Sequence, residues 1–206
     1  LADTVELILR CYRHTMRTHL GETLPDEQWL STIGTPLRDQ LREFARSDAE
    51  ARAMLDTYSS HQRRIHDRHV RPFEGAAETV DALRASDVSL AIVTSKRREM
   101  ALRTLEACGL GDRFEAVVTA SDVESGKPDP EPVRRALDLL GTAGPEGVLF
   151  VGDSPYDIRA GRGAGTRTAG ALWGPYSPEE LAAEEPDFLL RSVIEVPPSR
   201  GDVEGG

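Results

Sequence analysis

Residues 148–157 read VLFVGDSPYD. Val148, Leu149, Phe150 and Val151 run into Gly152, and Asp153 and Asp157 then stand four positions apart around Ser154-Pro155. A buried strand that finishes in carboxylates must aim them at something. Two other apolar runs also finish in polar residues. VSLAIVT ends in Thr94 and continues into Ser95 and Lys96, and FEAVVTA leads into SDVESGKPDP, which carries Lys127. If the three strands are parallel, all these endings project to one rim, where ligands of such sheets bind. A hydroxyl, an ammonium and a carboxylate pair meeting there suit phosphoryl transfer, in which positioning and charge neutralisation do most of the catalysis. Carboxylate oxygens suit Mg2+, and the ion offsets repulsion between the acids and a phosphate. On this reading the aspartates hold a metal.

Each ending also has a plainer reading. Thr94-Ser95 could be a turn or a helix cap, Gly126-Lys127-Pro128-Asp129-Pro130 a rigid loop, and Asp153 and Ser154 the cap of a helix starting near Pro155. Independent caps need not each fall at the end of a parallel strand, so the shared placement favours a site.

The elements that must position these residues are legible from periodicity. VELILRCYRHTMRTHL spaces Val5, Ile8, Leu9, Tyr12, Met16 and Leu20 at helical intervals, and LPDEQWLSTI, PLRDQLREFARS and AEARAMLDTYSSHQRRIHDRHV come next as further helices. The pattern changes at Arg71-Pro72-Phe73-Glu74-Gly75. Beyond it helices (AAETVDALRASD, RREMALRTLEACG, PEPVRRALDLLG, DIRAGRGAG, SPEELAAEEP) alternate with strands (VSLAIVT, FEAVVTA, VLFVGD, TRTAGAL, with FLL as an edge). Such alternation predicts an α/β fold, a Rossmann-like parallel sheet covered on both faces by helices.

Composition narrows the function. With 25 basic and 35 acidic residues the net charge is −10, which argues against nucleic acid as a partner without excluding a locally positive site for an anion. No apolar run approaches the roughly 20 residues needed to span a bilayer, and no basic-then-apolar leader opens the chain, so we expect no membrane partner and a cytoplasmic location. Cys11 and Cys108, without metal-ligand spacing, read as reduced, packed thiols. The basic run HQRRIHDRHVR, from His61 to Arg71, reads as a solvated helix face, with attraction of an anionic substrate as the alternative. Trp29 and Trp173 read as packing residues, Trp173 near the rim.

Thr94 after LAIV, Lys127 in SGKPDPEP, and GDSPYDIRAGRGAG with Gly163, Ala164 and Gly165 at its end resemble the second, third and fourth motifs of the haloacid dehalogenase superfamily of hydrolases. IGTPLRDQL, DRHVRPFEGA and LWGPYSPEELAAEEPDFLL are most similar to its phosphoglycolate phosphatase and pyrophosphatase branch. The resemblance implies a core of residues 1–4 and 73–196, a helical-bundle cap over 5–72 and a flexible tail at 197–206. It further implies that Thr94, with Ser95, contacts the transferring phosphoryl group, that Lys127 neutralises its charge, and that Asp153 ligates Mg2+, with Asp157 sharing in metal binding or supporting it from behind. Gly34 and Thr35, in the loop Gly34-Thr35-Pro36-Leu37, reach toward substrate unless they form a plain turn. The expected partner is a small phosphorylated metabolite, 2-phosphoglycolate first, taken by a monomer or homodimer. Inorganic pyrophosphatase, sugar phosphomutase and a non-catalytic phosphoryl-binding module are the alternatives.

One feature of the superfamily has no counterpart here. Its first motif, Asp-x-Asp-Gly-Thr-Leu after an apolar strand, carries the nucleophile and the general acid/base, whereas Leu1-Ala2-Asp3-Thr4 resembles the residues directly after that motif. We therefore expect a sequence clipped at its start, inactive as it stands. A parallel sheet without its central strand should show a gap and unpaired backbone beside it.

Overall fold

Helix α1 (Val5–Leu20) buries Leu7, Cys11, Tyr12 and Met16 on one face and stops at Gly21, whose left-handed φ of 80° ends the helix without a Cβ penalty. It packs against α4 (Asp48–His69), which Ser47 caps by accepting a hydrogen bond from the Glu50 amide at 3.2 Å. Two short helices, α2 (Asp26–Leu30) and α3 (Leu37–Phe44), complete a helical layer. Trp29 is a packing residue as expected: fully buried, it stacks on Tyr12 with ring centroids 4.6 Å apart and lies against Phe44 and Tyr58.

The helical layer joins the rest through a narrow neck. Strand β1 (Ala2–Asp3) pairs antiparallel with β2 (Arg71–Pro72), and the Phe73 amide donates to the Leu1 carbonyl at 3.0 Å. Two-residue strands carry no period, so nothing in the pattern foretold this pair. A second joint links α4 to α6 (Arg98–Ala107). There His66 shares hydrogen bonds with Thr104 Oγ1 at 2.9 Å and Asp67 at 2.8 Å, and Arg103 pairs with Asp67 at 2.8 Å. The basic run is therefore not simply a solvated face: its exposed arginines flank a His66 that is wholly buried between two helices.

The computed structural model describes residues 1–196, and the expected flexible tail, 197–206, lies outside the described residues. After β2 the predicted alternation holds: α5 (Ala76–Ala85), β3 (Ala91–Val93), α6, β4 (Ala116–Val118), α7 (Glu131–Leu140), β5 (Leu149–Gly152), α8 (Pro155–Ala164), β6 (Arg167–Ala171), α9 (Pro178–Ala182) and β7 (Phe188–Leu190). β3 and β4 pair in parallel, Ala91 opposite Ala116, and β5, β6 and β7 form a second parallel set, Leu149 opposite Arg167 and Ala169 opposite Phe188. The fold is α/β with parallel sheets and a helical layer.

The two parallel sets form separate sheets. Among the described residues no ladder joins β3 to β5, and a cavity of about 1710 Å³ runs between them, lined by Ala91–Val93 and Leu149–Gly152 and floored by Val133 and Leu137 of α7. Ile92, Val93, Leu149, Phe150 and Val151 are only half-buried, although parallel strands ordinarily bury both faces. The sheet is divided between β3 and β5, in keeping with the gap expected there.

The packing generates two tests. The Tyr12 hydroxyl is buried without a hydrogen-bond partner among the described residues, so Tyr12→Phe should leave stability unchanged or raise it by about 1 kcal/mol in urea unfolding. Arg103 first, then His66, hold the Asp67 carboxyl down from its ordinary 3.8 to about 2. Its contribution, small because the Arg103–Asp67 pair is solvated, is full above pH 3.8 and is lost as pH falls through about 2, so Asp67→Asn should flatten that part of the acid-unfolding curve only slightly.

Candidate active site

β3 and β4 pair in parallel, and the residues just past them and just past β5 line one cavity. The Thr94 amide donates to the Val118 carbonyl at 2.9 Å, and the Thr94 hydroxyl accepts from the Lys96 amide at 3.2 Å, which tightens the turn. Ser95 reaches the other way, donating from Oγ to the Gly34 carbonyl at 2.6 Å. Lys127, in the loop after β4, has a cis peptide to Pro128 and is buried, its ammonium paired with Oδ1 of the equally buried Asp157. Thr94, Ser95, Lys127, Asp153, Asp157, Gly34 and Thr35 all line one cavity, and Lys96 and Trp173 line it too.

The turn after β5 is a compact device. Ser154 caps α8 by accepting from the Asp157 amide at 3.3 Å, while Asp157 Oδ2 accepts from the Ser154 amide at 3.1 Å and hydroxyl at 2.6 Å. This reciprocal cap satisfies otherwise orphaned helix donors. The Asp157 side chain occupies the space a Cβ on Gly152 would need, so glycine lets the helix turn close on the strand end. Lys127 engages one oxygen of Asp157 and Ser154 the other, which suits the supporting role expected of it beside its share in metal binding. The helix-cap reading of this stretch holds for Ser154 and Asp157.

Asp153 is left facing the cavity, with no hydrogen-bond partner among the described residues. Enclosure first, and then the Asp157 carboxylate, push its carboxyl above the usual carboxylate range, against the pull of Lys127 and Lys96. Enclosure lowers the Lys96 ammonium, and Asp153 raises it in part. A carboxylate held in so costly a place fits a hard cation, and Mg2+ commonly takes one or two carboxylates and completes its shell with water and substrate phosphate oxygens. Asp153 fits that role, but no cluster of three or more metal-ligating side chains occurs among the described residues. Sequence reasoning left Lys96 without a role, although it adjoins Thr94-Ser95; Tyr176 was missed because it works through the backbone of a distant loop.

A family model described as haloacid dehalogenase-like hydrolase matches residues 1–171. The pyrophosphatase PpaX of Halalkalibacterium halodurans is 38% identical over 194 residues, spanning 94% of this chain and 88% of that protein. The pyrophosphatase PpaX of Bacillus velezensis is 38% identical over 197 residues, spanning 95% and 89%. Among solved structures, one titled a predicted phosphoglycolate phosphatase from Haemophilus somnus superposes with a TM-score of 0.87 over 95% of this chain and 91% of its own, and at 20% identity that likeness bears on the fold. The chain belongs to the haloacid dehalogenase-like hydrolases.

The buried pair generates a prediction. Lys127→Ala strands a buried carboxylate and should cost about 3–5 kcal/mol in urea unfolding, whereas Lys127→Met with Asp157→Leu should recover most of that loss. A single variant as stable as the parent would show that the pair is not buried in solution.

Proposed function

We propose that this chain forms the phosphoryl-binding body of a Mg2+-dependent phosphatase for a small metabolite with an anionic leaving group, inorganic pyrophosphate foremost and 2-phosphoglycolate second. The observation that carries the reading is the meeting of Thr94, Lys127 and Asp153 at one cavity under the Gly34-Thr35 loop. The names of the pyrophosphatase relatives favour pyrophosphate, and the Haemophilus somnus title keeps phosphoglycolate as the second candidate.

In this reading Thr94 donates its hydroxyl to the phosphoryl oxygens and Lys127 offsets their charge. Asp153 would hold Mg2+, which when bound supplies further neutralisation of the phosphate. Asp157 orients Lys127. The helical layer 5–72 acts as the cap, excluding water and selecting the leaving group. The attacking carboxylate belongs on an extended segment seated between β3 and β5, because a strand there delivers its end to the same rim as Thr94 and Asp153.

The test is a panel of phosphate esters and pyrophosphate with Mg2+, run on this chain and on a form carrying an apolar strand ending in Asp-x-Asp-Gly-Thr ahead of Leu1. Phosphate release is expected from the extended form alone, and Asp153→Asn should lower its kcat/KM by about 100-fold or more while blunting its response to Mg2+. An extended form that folds and releases no phosphate from any substrate removes the phosphatase reading, and appearance of an isomerised sugar phosphate would replace it with a mutase.

A further inference from the structure

The loop between α2 and α3 is gripped from several sides at once. Tyr176 Oη lies 2.9 Å from both the Ser31 and the Ile33 carbonyl oxygens and shares its single proton between them, donating to one at a time. Ser95 donates to the next carbonyl, Gly34, at 2.6 Å. Gly34 has a φ of 110°, and a Cβ there would lie 2.8 Å from Ser154 Oγ, so only glycine lets the loop approach this closely. Pro36 packs on Gly126, where a Cβ would meet it at 2.8 Å. The loop thus turns its carbonyls toward hydroxyls supplied by the segments after β3 and β6.

Tyr176 is built for this task. It is buried and immediately precedes Ser177, which caps α9 with Glu180, so a folded helix start fixes its backbone. Burial, with Tyr156 and nearby carboxylates adding to it, pushes its phenol well above the ordinary value, so the hydroxyl stays protonated as a donor. Tyr156 also points at the Ser31 carbonyl, but at 3.4 Å its contact is marginal. The Ile33 and Thr35 amides make only local turn bonds, to the Leu30 and Thr32 carbonyls at 3.2 Å, and from α3 Gln40 Nε2 donates to the Thr35 carbonyl at 2.8 Å. The loop's place is therefore set from outside.

We infer that Tyr176 is the positioning residue that holds loop 31–36 over the phosphoryl site, with Ser95 as the second point of attachment. In what the loop covers, the inference rests on the phosphatase reading; in the clamp itself it does not. A serine hydroxyl has one proton, so while Ser95 holds Gly34 it cannot also donate to a phosphoryl oxygen. Ser95 thereby acts on the loop and leaves side-chain donation to Thr94 and Lys127. The positions of Gly34 and Thr35, and with them the room for a leaving group, are set by two hydroxyls that touch no substrate.

The test is amide hydrogen exchange on the chain as it stands, needing neither turnover nor ligand, so failure of the clamp and failure of the phosphatase reading are separate results. Tyr176→Phe keeps the ring and removes the donor. It should speed exchange at Ile33 and Thr35 about tenfold, while Tyr156→Phe changes them by less than about twofold. Amides of α4 and β6 should keep their parent rates in both variants. Unchanged rates at Ile33 and Thr35 in Tyr176→Phe overturn the inference. So does an equal loosening of α9 and β6, which would make Tyr176 a packing residue of its own segment. Ser177→Ala, which removes the α9 cap and keeps the phenol, should loosen α9 more than the loop, and the reverse order also overturns it.

Discussion

The ion pair between Lys127 and Asp157 is the interaction on which the rim depends. Taking an ammonium and a carboxylate out of water costs several kcal/mol per ion unless each finds a partner and its remaining hydrogen-bonding capacity is met. Here the second oxygen of Asp157 is used by the Ser154 amide and hydroxyl, so the pair is tied to the first turn of α8. That tie fixes where β5 ends, and hence where Asp153 faces. It also holds the loop after β4 against the turn after β5, joining the strand sets on either side of the gap through side chains where no backbone ladder does so. A cation that would otherwise move with solvent is thereby held ready for an anion.

The gap between β3 and β5 explains the burial pattern of the core. Both strands carry the apolar residues of a sheet interior, Ile92 and Val93 on one and Phe150 and Val151 on the other, yet these are only half-buried, since among the described residues each strand is paired on one side alone. The surrounding helices keep their expected places. Val80 of α5 and Val133 and Ala136 of α7 stay buried. Edge strands with free donors and acceptors are templates for pairing, and β3 and β5 each present such an edge among the described residues.

Much of this was legible in the residues. The helical period of 5–20 gave α1 its bounds, and the alternation beyond Gly75 gave the order of strands and helices. The convergence of Thr94, Lys127 and Asp153 could be inferred from three apolar runs ending in polar residues. What could not be read were interactions whose partners lie far apart in the chain. Nothing near Asp157 says that one of its oxygens faces Lys127. His66 sits in a run that looks solvated, and only its position opposite Thr104 makes it buried. The strands are also shorter than their apolar runs: VSLAIVT yields a ladder at Ala91–Val93 only, because β3 finds a neighbour on one side alone.

Among the described residues the helical layer meets the core through a shared apolar cluster, in which Leu7, Leu9 and Met54 join Val80, Leu105 and Leu110, and through three polar attachments whose chemistry differs. The β1–β2 neck is a two-residue backbone pair, too short to resist twisting. At the α4–α6 joint the charged partners Arg103 and Asp67 are solvated, and exposed pairs of that kind contribute little, so what holds there is the buried His66–Thr104 contact beneath them. The loop 31–36 depends on hydroxyls donating to carbonyls, bonds that water can replace at small net cost once the surface is wet. Opening would therefore begin at the loop, over the cavity, while the buried imidazole keeps the far end seated. The Lys127–Asp157 pair lies wholly within the core and takes no part in any of these attachments.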